Sequence, residues 1–320
     1  MKKKILVGII VFLIAVVCIV SYVVVKKATT SGVWIKDYKY VFHNEDKTAE
    51  VLEYRGASTV ITLPEEIFGY KIPEVYISNM YSFNQFSSNC EIEKIIIPKG
   101  VGSVRIDNAS SLKELEFEEG TEMISVSIGQ CNNLVSVIIP ESVVCMKPFD
   151  IMDCYKLDDI KFPHSLKYIT FYGLEHSPFN DKHKNDKYYL VGDGIMLFTN
   201  ISGDEIIVPI GVKQIPTFGL NTYDDNEKRT LYVSDSVNCM AFIDLPVEGI
   251  SYFGNENIDF GEEPVAGTDN YTGTIVAPAG SYMERFCQDN NLNFRVMTEE
   301  EEATWREKTE AAASEITYQE

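Results

Sequence analysis

A pattern of apolar residues that ends in proline repeats four times between residues 92 and 169, and it constrains the fold more than any other feature of the chain. Its marker, the proline or the residue in its place, recurs after 20, 22 and 23 residues. The copies are Ile92-x-x-Ile95-x-Ile97-Pro98, Leu112-x-x-Leu115-x-Phe117-Glu118, Leu134-x-x-Val137-x-Ile139-Pro140 and Leu157-x-x-Ile160-x-Phe162-Pro163. A period of about 20–25 residues with apolar positions fixed to it is typical of a solenoid, in which each repeat forms one coil.

The order of residues within one copy indicates a short strand that stops at the proline. Apolar side chains at alternating positions place one face of this strand in a core. Proline lacks an amide donor and fixes φ, so it belongs where strand pairing stops and a turn begins. A single coil cannot bury its own apolar face. It therefore has to stack on the next coil, which also supplies the missing backbone hydrogen bonds.

Two of the copies begin with a cysteine three residues before the leucine, as Cys131-Asn132-Asn133-Leu134 and Cys154-Tyr155-Lys156-Leu157. This pattern resembles the BspA-like leucine-rich repeats, found on the surface of many bacteria and some protists. Val60 to Pro64 with Phe68 to Ile72 resembles the opening repeat of that family, and Thr274 to Tyr282 resembles its closing segment. The resemblance covers roughly residues 38–297 and implies an array that serves mainly as a binding surface. The departures are Glu118 in place of proline and an irregular region after Phe171.

The rest of the chain completes a mainly β solenoid, a leucine-rich repeat array of about 8–10 coils. Pro163 and Pro209 are 46 residues apart, which is two periods, and the segment from Tyr188 to Phe198 between them is typical of an inserted hairpin. The apolar pattern resumes after this hairpin, at Ile206 and Leu231. We expect an N-terminal β-hairpin cap over residues 37–52 and a C-terminal cap made of a helix over 282–290 and a strand over 294–296.

Two segments are predicted to be solvated. The segment from His176 to Lys187 is polar and is interpreted as a solvated loop. A metal site is the less favoured alternative, because His176, His183, Asp181 and Asp186 show no standard ligand spacing. Residues 298–320 hold eight acidic and two basic residues with little apolar periodicity. We expect a solvated or frayed helical tail there.

Residues 5–25 are 21 uncharged residues between Lys2-Lys3-Lys4 and Lys26-Lys27. This length matches the roughly 20 residues that a membrane-spanning helix needs and exceeds the core of a signal peptide. The sequence predicts a cytoplasmic N-terminus at residues 1–4, a transmembrane signal anchor at 5–25, a linker at 26–32, a repeat ectodomain at 33–297 and an acidic tail at 298–320. A cleaved signal peptide is the alternative. The first interpretation gives a single-pass protein of the cell membrane and the second a secreted one, and both place the repeats outside the cytoplasm.

The charge of the chain limits its partners. Beyond residue 25 there are 25 basic and 48 acidic residues, a net charge of −23, which repels phosphate backbones. We therefore expect no nucleic-acid partner. The sequence contains none of the common nucleophile, zinc-ligand or phosphate-binding motifs, so we expect no cofactor, no metal and no enzymatic activity. A membrane-anchored hydrolase is the least favoured alternative.

The cysteines leave two interpretations open. Cys131 and Cys154 occupy the same position in consecutive coils, so their Cα atoms should lie about 5 Å apart, within reach of a disulfide. A location outside the cytoplasm would permit that bond. The other interpretation, which we favour, is a stack of buried thiols that behave as small apolar side chains.

Aromatic residues near the break in the period are the candidate binding residues, because exposed aromatic residues mark recognition surfaces where they cluster. They are Tyr168, Phe171, Tyr172, Tyr188, Tyr189 and Tyr223. Part of this set could equally be core packing. We predict a membrane-tethered extracellular leucine-rich repeat protein, monomeric, that acts as an adhesion or protein–protein binding scaffold for a protein or cell-surface ligand. The alternative is a structural component of the cell envelope that associates with its own copies.

Overall fold

Parallel pairing between consecutive repeats builds the fold. The computed structural model describes residues 31–78, 91–174, 176–217, 220, 228–241, 244–261 and 271–319. In these residues the chain forms a β-solenoid of about nine turns, which lies within the predicted range. The prediction of stacked coils is therefore confirmed.

The strands that precede the proline markers form the first layer of the solenoid. They are β4 (Val60–Thr62), β8 (Lys94–Ile97), β10 (Glu114–Phe117), β12 (Ser136–Ile138) and β14 (Asp159–Lys161), all parallel and in the spatial order β14-β12-β10-β8-β4. Leu115 pairs with Ile95 on one side and with Val137 on the other, and all three are buried. The same template position thus stacks in every coil, which is why the apolar residues recur with the period.

A second parallel layer follows the prolines. Its strands are β7 (Glu74–Ser78), β9 (Ser103–Asp107), β11 (Met123–Gly129), β13 (Cys145–Met152) and β15 (Tyr168–Gly173), in the order β15-β13-β11-β9-β7. Val126 pairs with Val104 and Ile128 with Ile106, and these side chains are buried. The apolar residues of both layers belong to one contiguous core that extends from Tyr40 to Leu197.

The N-terminal hairpin packs against the first coil. The strands β1 (Val33–Ile35), β2 (Tyr38–His43) and β3 (Thr48–Tyr54) are antiparallel, as predicted for residues 37–52. A smaller hairpin, β5 (Glu66–Ile67) and β6 (Tyr70–Lys71), joins the same sheet through β3. Tyr40, Val51 and Tyr54 are buried in the same core as Ile61 and Ile72.

The break in the period contains a helix that the sequence analysis missed. Helix α1 (Pro178–His183) lies where a solvated loop was predicted, and the Ser177 hydroxyl accepts a hydrogen bond from the Asn180 amide at its start. The His183 ring stacks on Tyr189, with 3.8 Å between ring centroids, and Phe179 is buried. The prediction of a loop here was wrong because a six-residue helix shows too little periodicity to be recognised. The predicted hairpin follows as β16 (Tyr188–Val191) and β17 (Ile195–Thr199).

The second half of the solenoid has its own core. The parallel strands β18 (Glu205–Val208), β19 (Thr230–Val233), β20 (Ile250–Tyr252), β21 (Thr274–Ala277) and β22 (Phe294–Val296) pair in sequence order. Helix α2 (Tyr282–Asn290) begins after Ser281, whose hydroxyl accepts from the Glu284 amide. The predicted helix and final strand are therefore present at their predicted positions. The second core includes Ile206, Leu231 and Ile275.

Two glutamine side chains bond to edge strands of the first half where the period breaks. The buried Gln214 amide accepts from the Ile169 N–H (2.9 Å) and donates to the Ile169 carbonyl (2.8 Å). The Gln319 amide makes the same pair of bonds to Phe162, at 3.3 Å and 3.0 Å. Each amide thus bonds to the edge residue as the peptide of a neighbouring strand would.

The acidic C-terminal segment is helical, as predicted, but the prediction that it is solvated was wrong along its inner side. Helix α3 (Glu299–Ala312) packs on the outward side of β19 and β20, and Trp305 is only 3% exposed. The Trp305 indole donates to the Val233 carbonyl at 2.8 Å. After a 3-10 turn, β23 (Ile316–Tyr318) pairs in parallel with β16, between the two halves of the solenoid. The helix forms because Thr298 and Glu301 make a reciprocal capping box.

Acidification is expected to weaken the docking of this helix. The Glu301 carboxylate accepts both Arg295 Nη atoms (2.7 and 2.8 Å) and the Thr298 amide (2.9 Å), and these bonds, Arg295 first, lower the pKa of Glu301 to about 2. A lowered pKa means that the stabilisation is complete above the ordinary value of 4.5 and is lost as the pH falls towards 2. For this partly exposed pair we expect a loss of about 1 kcal/mol.

Urea unfolding of the wild type and of Glu301→Gln as a function of pH measures this contribution. The difference in unfolding free energy between the two proteins should shrink as the pH falls through that window. Glu300→Gln, which changes an exposed carboxylate one residue earlier, is the control and should show no such trend. A difference that stays constant down to pH 2 would contradict the prediction.

Among the described residues, no helix combines the length and the apolar character needed to cross a membrane. The predicted span at residues 5–25 lies outside the described part of the chain, and it stays a prediction.

The described cysteines are free thiols, in agreement with the interpretation that we favoured. Cys131 and Cys154 are fully buried, and each Sγ lies 3.5 Å from a backbone carbonyl oxygen, of Gly129 and Met152 respectively. The adjacent Cys154 and burial raise the pKa of the Cys131 thiol, which keeps it protonated. These thiols therefore act as small apolar side chains.

Candidate binding surface

The six aromatic residues selected from the sequence fall into different environments. Tyr188 is fully buried in the second core and Tyr189 is 3% exposed, so the prediction that they contact a ligand does not fit this fold. Burial raises the pKa of Tyr189 to about 12, and its ring packs against His183 and Phe179. Tyr223 lies outside the described residues. Three candidates remain, all on β15.

The three candidates on β15 differ in exposure. Phe171 is half-buried between Phe149 and Phe198, with ring centroids 6.3 and 6.0 Å away, and it mainly contributes packing. Tyr168 is also half-buried, and the Lys147 ammonium lies 4.2 Å from its ring centroid as a cation–π pair. Tyr172 is 62% exposed. Of the three rings, that of Tyr172 is the most accessible to a partner.

The structure adds three residues to Tyr172 that the sequence analysis did not select. Tyr155 is 58% exposed and Met152 44% exposed. Met152 is the last residue of β13, the strand next to β15, and Tyr155 follows three residues later. The exposed His176 ring stacks on Tyr155, with 6.1 Å between ring centroids. We call Met152, Tyr155, Tyr172 and His176 the aromatic corner. They lie at the same ends of neighbouring coils, although the sequence separates them by up to 24 residues.

A repeated backbone conformation positions the aromatic corner. Asn108, Gln130, Asp153 and His176 all have positive φ, between 54° and 59°. The first three directly follow a strand of the second layer, and His176 comes three residues after the end of β15. Each turn thus leaves the sheet in the same direction, and Asp153 and His176 meet as neighbours, with Nδ1 2.8 Å from Oδ1. The sequence did contain a signal for Tyr155. This tyrosine directly follows Cys154, at a position of the template where the residue differs between copies and the side chain therefore points outward.

The outward face of the second layer holds a groove of about 430 Å³. Small residues form its centre: Ser103 lies opposite Ser125 on neighbouring strands, and Arg105 lies opposite Ser127. Larger residues, Tyr76 on β7 and Pro148 on β13, bound it at either side. We call this feature the serine groove.

The described residues hold no group of three or more histidine, cysteine, aspartate or glutamate side chains arranged to bind a metal. The two histidines of the break are engaged separately, His176 with Asp153 and His183 with Asp186 at 2.9 Å. They do not converge on one point.

A known repeat family matches the central part of the chain. Residues 79–183 match the BspA type leucine rich repeat region in six copies. A comparison with curated proteins gives no significant match.

Solved structures of leucine-rich repeat proteins are similar to the chain at low identity. A leucine rich cell surface protein from Faecalibacterium prausnitzii has 14% identity and a TM-score of 0.29, with 87% of this chain and 97% of that chain covered. The pneumococcal vaccine antigen PcpA has 10% identity and a TM-score of 0.34, covering 83% and 98%. A leucine-rich repeat protein from Bacteroides capillosus has 17% identity and a TM-score of 0.29, covering 45% and 99%.

Proposed function

This chain belongs to the BspA-type leucine-rich repeat proteins, and we propose that it is a membrane-tethered scaffold that binds a protein partner outside the cytoplasm. Residues 5–25 supply the tether, and the uncharged stretch between lysines supports this assignment. The N-terminal hairpin caps the end of the array nearest to the membrane, and helix α2 with β22 caps the other end. The array presents its surface to the exterior for adhesion.

The aromatic corner is the observation that carries this proposal. Exposed large apolar side chains that lie together on a soluble surface favour an interaction site, and tyrosine is common among residues that dominate binding energy. The Tyr155 ring is held by its stacking on His176, and Tyr172 by its place in β15. The stacking on His176 restricts the Tyr155 ring before a partner binds, so less conformational entropy is lost when this ring becomes part of an interface.

The double variant Tyr155→Ser, Tyr172→Ser tests the proposal. We expect the full chain to bind at least one member of a panel of purified extracellular-matrix and cell-envelope proteins in surface plasmon resonance. The double variant should lose at least about tenfold in affinity, because it removes two central rings. Phe68→Ser is the matched control, since Phe68 is 76% exposed on the turn between β5 and β6, away from the corner. The proposal fails if nothing in the panel binds, or if the control and the double variant lose affinity equally.

Self-association is a weaker alternative. The free edge strand β22 would be the natural point of contact, but it has three residues, and its Arg295 is held by Glu301. Short edges that carry a charge resist pairing with other chains. Light scattering separates the two cases, because self-association makes the measured mass rise with concentration.

A further inference from the structure

The serine groove has features of a binding site that are independent of the aromatic corner. The Ser103, Ser125 and Ser127 hydroxyls line its centre, and none of them hydrogen-bonds to a protein group within the described part of the chain. A hydroxyl both donates and accepts, so three of them offer a ligand hydrogen bonds of both kinds. Ser103 lies on β9, and Ser125 and Ser127 lie on the neighbouring strand β11. Neighbouring strands are about 4.8 Å apart across the sheet.

The charge of the groove disfavours anions. Its lining holds two carboxylates, of Glu50 and Glu74, and one guanidinium, of Arg105, and the chain carries a net charge of −20. The guanidinium is also partly engaged, because Arg105 Nε lies 3.3 Å from Asp107 Oδ2 and its Cζ lies 5.4 Å from the Tyr76 ring centroid. An acidic polymer would meet more repulsion than attraction here.

The sheet itself excludes one common mode of peptide binding. An extended peptide gains affinity by adding a strand to a free sheet edge. The groove lies over β9 and β11, and each of these strands already pairs with a neighbour on both sides. Recognition in the groove therefore depends on side chains, which here are hydroxyls, charged groups of both signs and the two apolar walls.

We propose that the serine groove binds a neutral oligosaccharide that lies across the strands. A sugar chain presents hydroxyls that donate and accept, which the serines, Glu74 and Arg105 can match. Its C–H faces can pack on the ring of Tyr76 and on Pro148 at the two sides. The spacing between strands is comparable to the length of one hexose unit, so two successive sugars can meet the paired hydroxyls of Ser103 on β9 and Ser125 on β11.

Calorimetric titration of the full chain, purified in a detergent without a sugar headgroup, tests this assignment. The probes are the hexasaccharides of cellulose, starch and chitin, together with a polygalacturonate hexamer of the same length as an anionic probe. We expect at least one neutral probe to bind and the anionic probe to bind at least about tenfold more weakly. The triple variant Ser103→Val, Ser125→Val, Ser127→Val fills the groove with residues that strands accept, and it should lower the affinity at least about tenfold.

The control for folding and for specificity is Ser136→Val, the same exchange on β12 of the first layer. It should leave binding unchanged, and the melting temperatures of both variants should stay close to that of the wild type. The assignment is overturned if no neutral hexasaccharide binds, if the anionic probe binds best, or if the triple variant binds as the wild type does. Because the aromatic corner is untouched in these variants, the loss of sugar binding and the loss of a protein partner are measured separately.

Discussion

Replacing Gln214 with methionine is expected to lower the free energy of unfolding by about 2–5 kcal/mol. Methionine has a similar length and no amide, so it fills the space but cannot bond to Ile169. The Ile169 N–H and carbonyl would then be buried next to an apolar side chain, and each unsatisfied group costs about 1–3 kcal/mol. Gln214 itself is 3% exposed, which leaves little room for water to replace the lost bonds.

Urea unfolding followed by circular dichroism measures the change. Gln288→Met is the matched control, because Gln288 is exposed on helix α2 and should change stability by less than about 0.5 kcal/mol. A loss of less than about 1 kcal/mol for Gln214→Met would mean that the edge of β15 does not depend on this amide. Other contacts at the break in the period would then have to replace the hydrogen bonds that β15 lacks at its edge.

The regular half of the solenoid could be predicted because the template itself specifies which side chains point into the core and which point outward. In β8 and β10 the residues at the apolar template positions, such as Ile95 and Leu115, are buried, and those between them, such as Ile96 and Glu116, are partly exposed. The proline then fixes where each strand ends. Local sequence and neighbouring coils impose the same pattern, so no long-range information was needed.

The break in the period could not be predicted in the same way, because its strands are buried on both faces. All four residues of β16, from Tyr188 to Val191, are buried, since they lie between the two cores. A strand of this kind loses the alternation that distinguishes inside from outside. Tyr188 and Tyr189 could therefore be taken for surface residues, and only the tertiary fold decides otherwise.

The candidate site was predictable in part. Tyr172 was selected from the sequence and is exposed, whereas Tyr155 and Met152 were not selected, because they are distant in sequence from the break. The template places the residue after Cys154 in an outward turn, so counting outward positions from each cysteine would have found Tyr155. The serine groove had no signal in a single copy, since it arises only when Ser103, Ser125 and Ser127 come together through the stacking of coils.

The acidic tail was misjudged because its apolar face is narrow. Trp305, Thr309 and Ala312 are its buried residues, and their spacing of four and three places them on one side of the helix. This stripe was present in the sequence but is short among many glutamates. The surface on which the helix packs was not recognisable either. Tyr232 and Tyr252 occupy outward positions of β19 and β20, where a tyrosine side chain can also be exposed to water.

Replacing Trp305 with alanine is therefore expected to release the tail and to lower the unfolding free energy by about 3–5 kcal/mol. The change removes the side chain that covers the stacked pair Tyr232 and Tyr252, whose ring centroids are 4.9 Å apart, and it leaves the Val233 carbonyl without its indole donor. The contacts that remain on helix α3 are those of the small buried residues Thr309 and Ala312, together with ion pairs such as Lys308 with Glu205, which contribute little. Hydrogen exchange of residues 299–318 should rise well above that of the wild type.

The chain contains one other tryptophan, and it provides the control. Trp34 is 37% exposed and packs against Arg55, 4.4 Å from its ring centroid, so Trp34→Ala should cost no more than about 1 kcal/mol and leave the tail protected. If the tail were solvated, the two alanine variants would show the same fast exchange of the tail as the wild type. A selective loss of protection in Trp305→Ala would instead show that the acidic segment is held by one indole. Since β23 follows this helix directly, its release would also remove the strand that lies between the two halves of the solenoid.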